Sequence, residues 1–439
     1  MAAAAGDSES VAGIGRRRLT EIFAGGAAGR TPRVPTSWSE LERLARKVMS
    51  PEAWAYVAGG AGLESTLDEN RRAFERWRIV PRMLAAVPAV DLSTELFGRR
   101  LPAPLFLSPV GVLELAHRRA DLAVAEAAAS AGVPMIFSNQ ASVSMEKCAA
   151  AMTARAGAAA PRWFQLYWST SDALVESFLQ RAEACGCEAL VLTLDTSMLG
   201  FRPRDLDLGS LPFLQGRGLA QYLSDPVFRA SLNEPPPASS PPPPRPVLGP
   251  GTAVTLLHQI ARYPGTWREK LSGRPTAAVR RFLATYSRPS LGWSDLAWLR
   301  ERTSLPLVLK GILHPEDARR ALDHGADAVL VSNHGGRQVD GSLGALAALP
   351  AVVEAIDGRA PVLFDSGVRG GADIFRALAL GATAVGLGRP YVYGLALAGR
   401  EGVRDVLRNT LADLELTLLL AGCRDLAEVS FDRLAGQPS

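Results

Sequence analysis

Lysine is nearly missing from this 439-residue chain: Lys47, Lys147, Lys270 and Lys310 are all there are among 48 basic residues. A lysine closing an apolar run, as Lys310 does after Leu307-Val308-Leu309, is therefore conspicuous. Long basic runs are missing too, and the net charge of +4 is spread thinly, which gives nucleic-acid binding little support. No stretch reaches the roughly 18 to 20 apolar residues of a membrane span. The Ala- and Gly-rich N-terminus, ahead of Arg16-Arg17-Arg18, has no apolar core of signal-peptide length. The cysteines Cys148, Cys185, Cys187 and Cys423 form no CxxC pair and read as reduced thiols, so a cytoplasmic protein is expected. His117, His258, His314 and His324 have no metal-ligand spacing, and HExxH and GxSxG are both absent, so no metal site is expected.

What is present is an alternation. Eight short β-rich runs, at 104–110, 133–139, 162–168, 189–195, 306–312, 328–334, 361–367 and 384–390, are separated by helical patterns. Gly132, Gly186, Gly325 and Gly381 stand just before four of them, where a left-handed helix C-cap belongs. Eight such units predict an α/β fold, a (β/α)8 TIM barrel, with greater force than an open sheet. Residues 1–100 read as an N-terminal extension whose amphipathic segments 38–48 and 65–77 form a helical cover over the barrel bottom or rim; the barrel takes 101–439. The span 196–300 is too long for one βα connection and reads as a lid insertion, carrying a Pro-rich, extended segment at 235–246. That segment is solvated slack in a mobile lid before it is a ligand for a partner domain.

The C-terminal strand ends of such a barrel carry its chemistry. Here they read Ser108-Pro109-Val110-Gly111, Ser138-Asn139-Gln140, Gln165-Leu166-Tyr167, Thr193-Leu194-Asp195, Lys310-Gly311, Ser332-Asn333-His334, Asp365-Ser366-Gly367 and Gly388-Arg389. Lys310 puts a cation in the barrel mouth and calls for an anion, for which a reduced flavin ring is one candidate; a Schiff-base lysine is the rival reading. Gly367-Val368-Arg369-Gly370-Gly371 and Gly386-Leu387-Gly388-Arg389 follow strands seven and eight, where barrels bind phosphate through loop amides and a helix N-terminus. His334 followed three residues later by Arg337 sets a proton acceptor beside a carboxylate clamp. Taken alone, that pair is more often a strand-capping histidine and a solvated arginine.

Ser332-Asn333-His334-Gly335-Gly336-Arg337-Gln338, with Phe364-Asp365-Ser366-Gly367-Val368-Arg369 and Gly388-Arg389-Pro390, resembles the FMN-dependent α-hydroxy-acid oxidases and dehydrogenases over about residues 54–424. The resemblance implies His334 as the proton acceptor, Asp195 as the carboxylate that pairs with its imidazolium, and Arg337 and Arg202 on the substrate carboxylate, assisted by Tyr56 and Tyr167. It sets Lys310 against the flavin ring. The implied FMN contacts are Pro109, Val110, Gly111, Ser138, Gln165, Thr193, Ser332, Asp365, Ser366, Gly367, Val368, Arg369, Gly388 and Arg389.

Within the family, Leu199-Gly200-Phe201-Arg202-Pro203-Arg204-Asp205-Leu206 and the long insertion are similar to the monooxygenase members, as is Gly111, where the oxidase members carry alanine. Oxidation of a lactate-like L-2-hydroxy acid with O2, coupled to decarboxylation, is the expectation this implies. The alternatives are release of keto acid and peroxide, another electron acceptor, and, in a different class, a barrel that binds FMN or a phosphorylated metabolite without turnover. Gln140 stands where glycolate oxidase has tryptophan, so side-chain selectivity is left open. A homo-oligomer, tetramer or octamer, is also implied by resemblance, with no nucleic-acid or membrane partner.

Overall fold

Each β-rich run forms one strand in the computed structural model, which describes residues 13–234 and 249–436. The strands are β1 (Leu105–Leu107), β2 (Met135–Phe137), β3 (Arg162–Leu166), β4 (Leu190–Thr193), β5 (Leu307–Ile312), β6 (Ala328–Val331), β7 (Val362–Phe364) and β8 (Ala384–Leu387). They pair in parallel and in sequence order, and β8 closes on β1 to complete the expected α/β barrel. Most strands stop short of the runs read from sequence. Pairing ends where the small and polar residues begin, and those residues form the loops of the mouth. The proline-rich stretch at 235–246 lies outside the described residues.

Period-two alternation divides each strand between two cores. Leu105 and Leu107, or Leu307 and Leu309, face the helices in the large outer cluster. Phe106, Ile136, Trp163, Val191, Val308, Leu330, Leu363 and Ala384 fill the barrel interior. Trp163 is fully buried there; burying an apolar side chain of this kind contributes roughly 1.5 to 3 kcal/mol.

The first hundred residues are not wholly helical. A hairpin, Thr94–Leu96 paired antiparallel with Arg99–Leu101, packs Leu96, Leu101 and Phe97 against the interior cluster and closes the bottom. Trp77–Ile79 pairs with Leu434–Gly436. The helices α1 (Ile14–Ala27), α2 (Trp38–Val48), α3 (Pro51–Ala58) and α4 (Ser65–Glu75) precede these strands, and α2 to α4 reach the mouth. α2 carries Glu40 in its first turn and Arg46 and Lys47 in its last, complementing the helix dipole, and buries Leu41 and Ala45 one turn apart. In α3, Ser50 accepts from the amide of Ala53 at 3.2 Å and Pro51 opens the helix, which fixes the placement of buried Tyr56. Asn70 of α4 and Asn333 beyond β6 exchange side-chain amide bonds of 2.9 and 2.7 Å, stapling α4 to the mouth.

Candidate active site

The inward-facing positions one step beyond the interior cluster are Ser108, Ser138, Gln165, Thr193, Lys310, Ser332, Asp365 and Gly386, one at each strand end. They form a polar layer on top of an apolar one. Ser138 Oγ donates to Gln165 Oε1 at 3.1 Å, and Gln165 Nε2 to Thr193 Oγ1 at 3.0 Å. Lys310 Nζ donates to Ser332 Oγ at 2.6 Å, and Ser108 Oγ to Asp365 Oδ2 at 2.9 Å. Ser108 reaches Asp365 across β8, and a Cβ at the intervening Gly386 would come 2.3 Å from Ser108 Oγ. Glycine at that position is what lets the layer close.

Lys310 already has anions of its own. Its Nζ lies 3.4 Å from Asp365 Oδ2 and 3.7 Å from Asp195 Oδ2, in a site where all three side chains are nearly excluded from solvent. The anion that a cation in the barrel mouth calls for is supplied in part from within, by these two carboxylates. Gly311, at φ 105°, brings β5 close to Asp195, since a Cβ there would be 2.8 Å from Asp195 Cβ.

His334 sits at φ 57° and Ser366 at φ 86°, left-handed conformations that cost a non-glycine residue about 1 kcal/mol or more. The turn directs His334 Nδ1 to Asp195 Oδ1 at 2.7 Å, with Thr196 Oγ1 3.2 Å from Nδ1 and 3.0 Å from the same carboxylate oxygen. A carboxylate only accepts, so Nδ1 donates and Nε2 is left as the basic nitrogen. Burial raises the Asp195 carboxyl, but the neighbouring His334 and Lys310 outweigh it and bring it down to about 2. Burial lowers His334, against the raising influence of Asp195, so the imidazole is neutral at neutral pH.

Arg337 packs its guanidinium 5.1 Å from the Tyr56 ring centre and donates to the carbonyl of Gly59 at 2.9 Å. Arg202 donates from Nε to the Arg337 carbonyl at 3.2 Å. Burial and the cations of Arg202 and Arg389 push Arg337 down to about 9, so it stays charged while holding positive charge at a cost. A buried cleft with that excess favours an anionic ligand. Tyr167 is buried in the same wall, and burial raises its phenol, which stays protonated.

The cleft holds about 1250 Å³ of open space, its mouth included. Tyr56, Tyr167, Arg202, His334 and Arg337 line it, together with Gly367, Val368, Arg369, Gly388 and Arg389 and with Pro109, Val110, Gly111, Lys310, Asp365 and Ser366. Ser138, Gln165, Thr193 and Ser332 are buried, and Asp195 borders a second cavity with Thr193 and Trp168. Arg389 opens the helix after β8, which breaks at Ala398 and Gly399, and spends three of its five donors on the carbonyls of Val57, Gly335 and Gly59, each at 3.0 Å. The helix Gly371–Ala379 begins beside Arg369, whose guanidinium lies 4.6 Å from the Trp38 ring centre. These residues fit FMN. A Cβ at Gly388 would meet nothing within 4 Å, so the backbone there is open to a phosphate, and Gln140 Nε2 lies buried in the cleft wall without a hydrogen-bond partner.

Sequence reasoning gave no role to Thr196, Asn70 or Gln338. Thr196 follows Asp195 directly and Gln338 closes the histidine motif, so both were within reach of the motif; Asn70 is distant in sequence and carries no local signal. Among the described residues no cluster suited to a metal ion occurs, and no helix is long and apolar enough to cross a membrane.

The family described as FMN-dependent dehydrogenase matches residues 45–435. The chain is 41% identical to the FMN-dependent alpha-hydroxy acid dehydrogenase qulF of Penicillium citrinum over 94% of each chain. It is 40% identical to an L-lactate oxidase of Lysinibacillus sphaericus, covering 88% of this chain and 89% of that one. Among solved structures, mandelate oxidase with (S)-4-hydroxymandelic acid superposes with a TM-score of 0.73 at 35% identity, over 92% of this chain and 99% of the other.

Proposed function

Because the chain belongs to the FMN-dependent dehydrogenase family, as an FMN-dependent α-hydroxy-acid oxidoreductase, we propose that it oxidises a lactate-like L-2-hydroxy acid to the 2-keto acid with O2 as the electron acceptor. The observation that carries this reading is the convergence on one cleft of a neutral His334 held by Asp195 at 2.7 Å and two guanidinium groups, Arg202 and Arg337. The arginines hold the substrate carboxylate and so set the carbon beside it within reach of His334. Tyr56 and Tyr167, both kept protonated by burial, donate to the substrate oxygens. His334 Nε2 takes a proton, and Asp195 stabilises the imidazolium that forms. FMN, when bound, supplies the two-electron acceptor. Lys310, Arg369, Arg389 and the glycines of the loops after β7 and β8 would hold it.

The finer reading is oxidative decarboxylation, in which lactate and O2 give acetate, carbon dioxide and water. It is supported by the way the 196–300 insertion is tied down. Glu114, just beyond β1, accepts from Arg262 at 2.9 Å and Arg217 at 3.5 Å, both from the insertion, which favours retention of keto acid and peroxide until they react. The names of the lactate oxidase relatives favour the second reading, release of pyruvate and hydrogen peroxide. Product analysis under air distinguishes the two. Acetate formed one for one with O2 consumed, with little peroxide, is the expected result; stoichiometric peroxide and pyruvate contradict the decarboxylation.

A further inference from the structure

The loop after β4 crosses the loop after β6 closely at Gly200, where a Cβ would come 2.5 Å from the Arg337 carbonyl and 2.8 Å from that of Gln338. The amide of Gln338 lies at this crossing. Its Oε1 accepts from Arg202 Nη2 at 2.8 Å and from the Gly200 amide at 3.3 Å. Its Nε2 donates to the carbonyl of Asp195 at 2.8 Å and to that of Met198 at 2.8 Å. A primary amide has two donor hydrogens and two acceptor lone pairs, and Gln338 uses all four. Their partners are the guanidinium that faces the substrate carboxylate and the backbone that carries the base's partner.

We infer that Gln338 is the positioning residue that locks Arg202 and the Asp195–Arg202 segment to the His334–Arg337 turn. It makes the carboxylate clamp and the base pair one rigid unit. The inference rests on the proposed role of Arg202 in holding the substrate carboxylate. The Arg202 guanidinium is gripped from the β6 loop at two nitrogens, Nη2 by Gln338 Oε1 and Nε by the Arg337 carbonyl, which fixes its plane before an anion arrives. Such preorganisation is felt as affinity. No other side-chain type of this length offers two donors and two acceptors in one plane. A carboxylate would put a negative charge 2.8 Å from Arg202, compete for it with the substrate, and turn lone pairs toward the carbonyls of Asp195 and Met198. The titratable and charged groups near it are Arg202, which it contacts, and Arg337, Asp195 and the neutral His334 on the two segments it joins.

The test is the affinity of the FMN-loaded enzyme for oxalate, measured by calorimetry, together with melting temperature and FMN content for each variant. Gln338→Glu weakens oxalate binding at least tenfold relative to wild type at pH 8. Gln338→Met, which keeps the length and loses every bond, weakens binding by a similar factor, and serves if the first variant fails to fold. Arg202→Met is the control. If it leaves oxalate affinity unchanged, the clamp role of Arg202 falls; if it weakens binding while both Gln338 variants stay within threefold of wild type, the positioning role of Gln338 is overturned. A loss of oxalate affinity that tracks a loss of FMN content or of melting temperature also overturns it, since general loss of packing would then account for the effect.

Discussion

His334 Nδ1 and Asp195 Oδ1 lie 2.7 Å apart, and Lys310 Nζ stands 3.7 Å from the other oxygen of the same carboxylate. The carboxylate is thus held ionised from two sides while it orients the imidazole. Replacing His334 by alanine removes the base and keeps the side chains of Arg369, Arg389 and Lys310, which line the same cleft. His334→Ala is expected to keep its FMN and to be reduced by substrate about 10²- to 10⁴-fold more slowly, the range for loss of a general base. Anaerobic stopped-flow spectroscopy measures this.

The pH dependence follows from the direction of the His334 shift. Burial lowers its pKa below the ordinary value of 6.5, so the neutral base persists into mildly acidic solution. The rate of reduction at low substrate rises with pH through an acid limb that lies below pH 6.5. Asp195→Asn removes the charge that raises His334. The limb moves further toward acid while the plateau falls about 10²-fold or more. A limb moving toward alkaline pH contradicts the pairing.

The sequence disclosed much of this site, because its residues end strands whose apolar runs are easy to see. Lys310, Asp365 and Ser332 each follow an interior residue by two positions, and the same alternation continues into the mouth. The charge balance was not legible. Two carboxylates converge on Lys310 from β4 and β7, a consequence of barrel closure that no local spacing announces. By sequence Gly386 belongs to a phosphate-loop pattern; its contacts add that it is kept small so that Ser108 reaches Asp365.

Gly386→Ala is therefore expected to destabilise the fold by roughly 1 to 3 kcal/mol, the usual cost of overpacking a filled interior. Its Cβ would meet Ser108 Oγ at 2.3 Å and the Phe106 ring at 2.5 Å. Adding Ser108→Ala relieves the first clash and recovers part of the loss, while Phe106 keeps the rest. Denaturant unfolding of the single and double variants gives the comparison.

Lys310→Met leaves Asp195 and Asp365 buried without their shared cation. Breaking a buried ion network from one side costs about 3 to 5 kcal/mol. The variant is expected to lose stability on that scale; a loss under about 1 kcal/mol, the range of a surface pair, contradicts the burial of the network.

Asp121 lies buried at the start of the helix Ala120–Ala131, where one carboxylate oxygen accepts from the amides of Ser142 and Val143 at 2.9 and 3.1 Å. Burial raises its pKa to about 7, against the lowering effect of those amides. The raised folded value means that its stabilising contribution is full below the unfolded pKa of about 3.9 and is lost as pH rises toward 7. Asp121→Asn has no such loss. Its stability relative to wild type is expected to improve by about 1.4 kcal/mol per pH unit over that window, and melting curves between pH 4 and pH 7 measure it.

The most direct measurement is an anaerobic titration of the FMN-loaded protein with L-lactate and a panel of other L-2-hydroxy acids, followed through the flavin absorbance. The proposed function predicts that at least one L-2-hydroxy acid bleaches the wild-type protein within the mixing time of a turnover, that its D-enantiomer does not, and that admitting O2 restores the colour. An FMN-loaded wild-type protein that no hydroxy acid bleaches contradicts it.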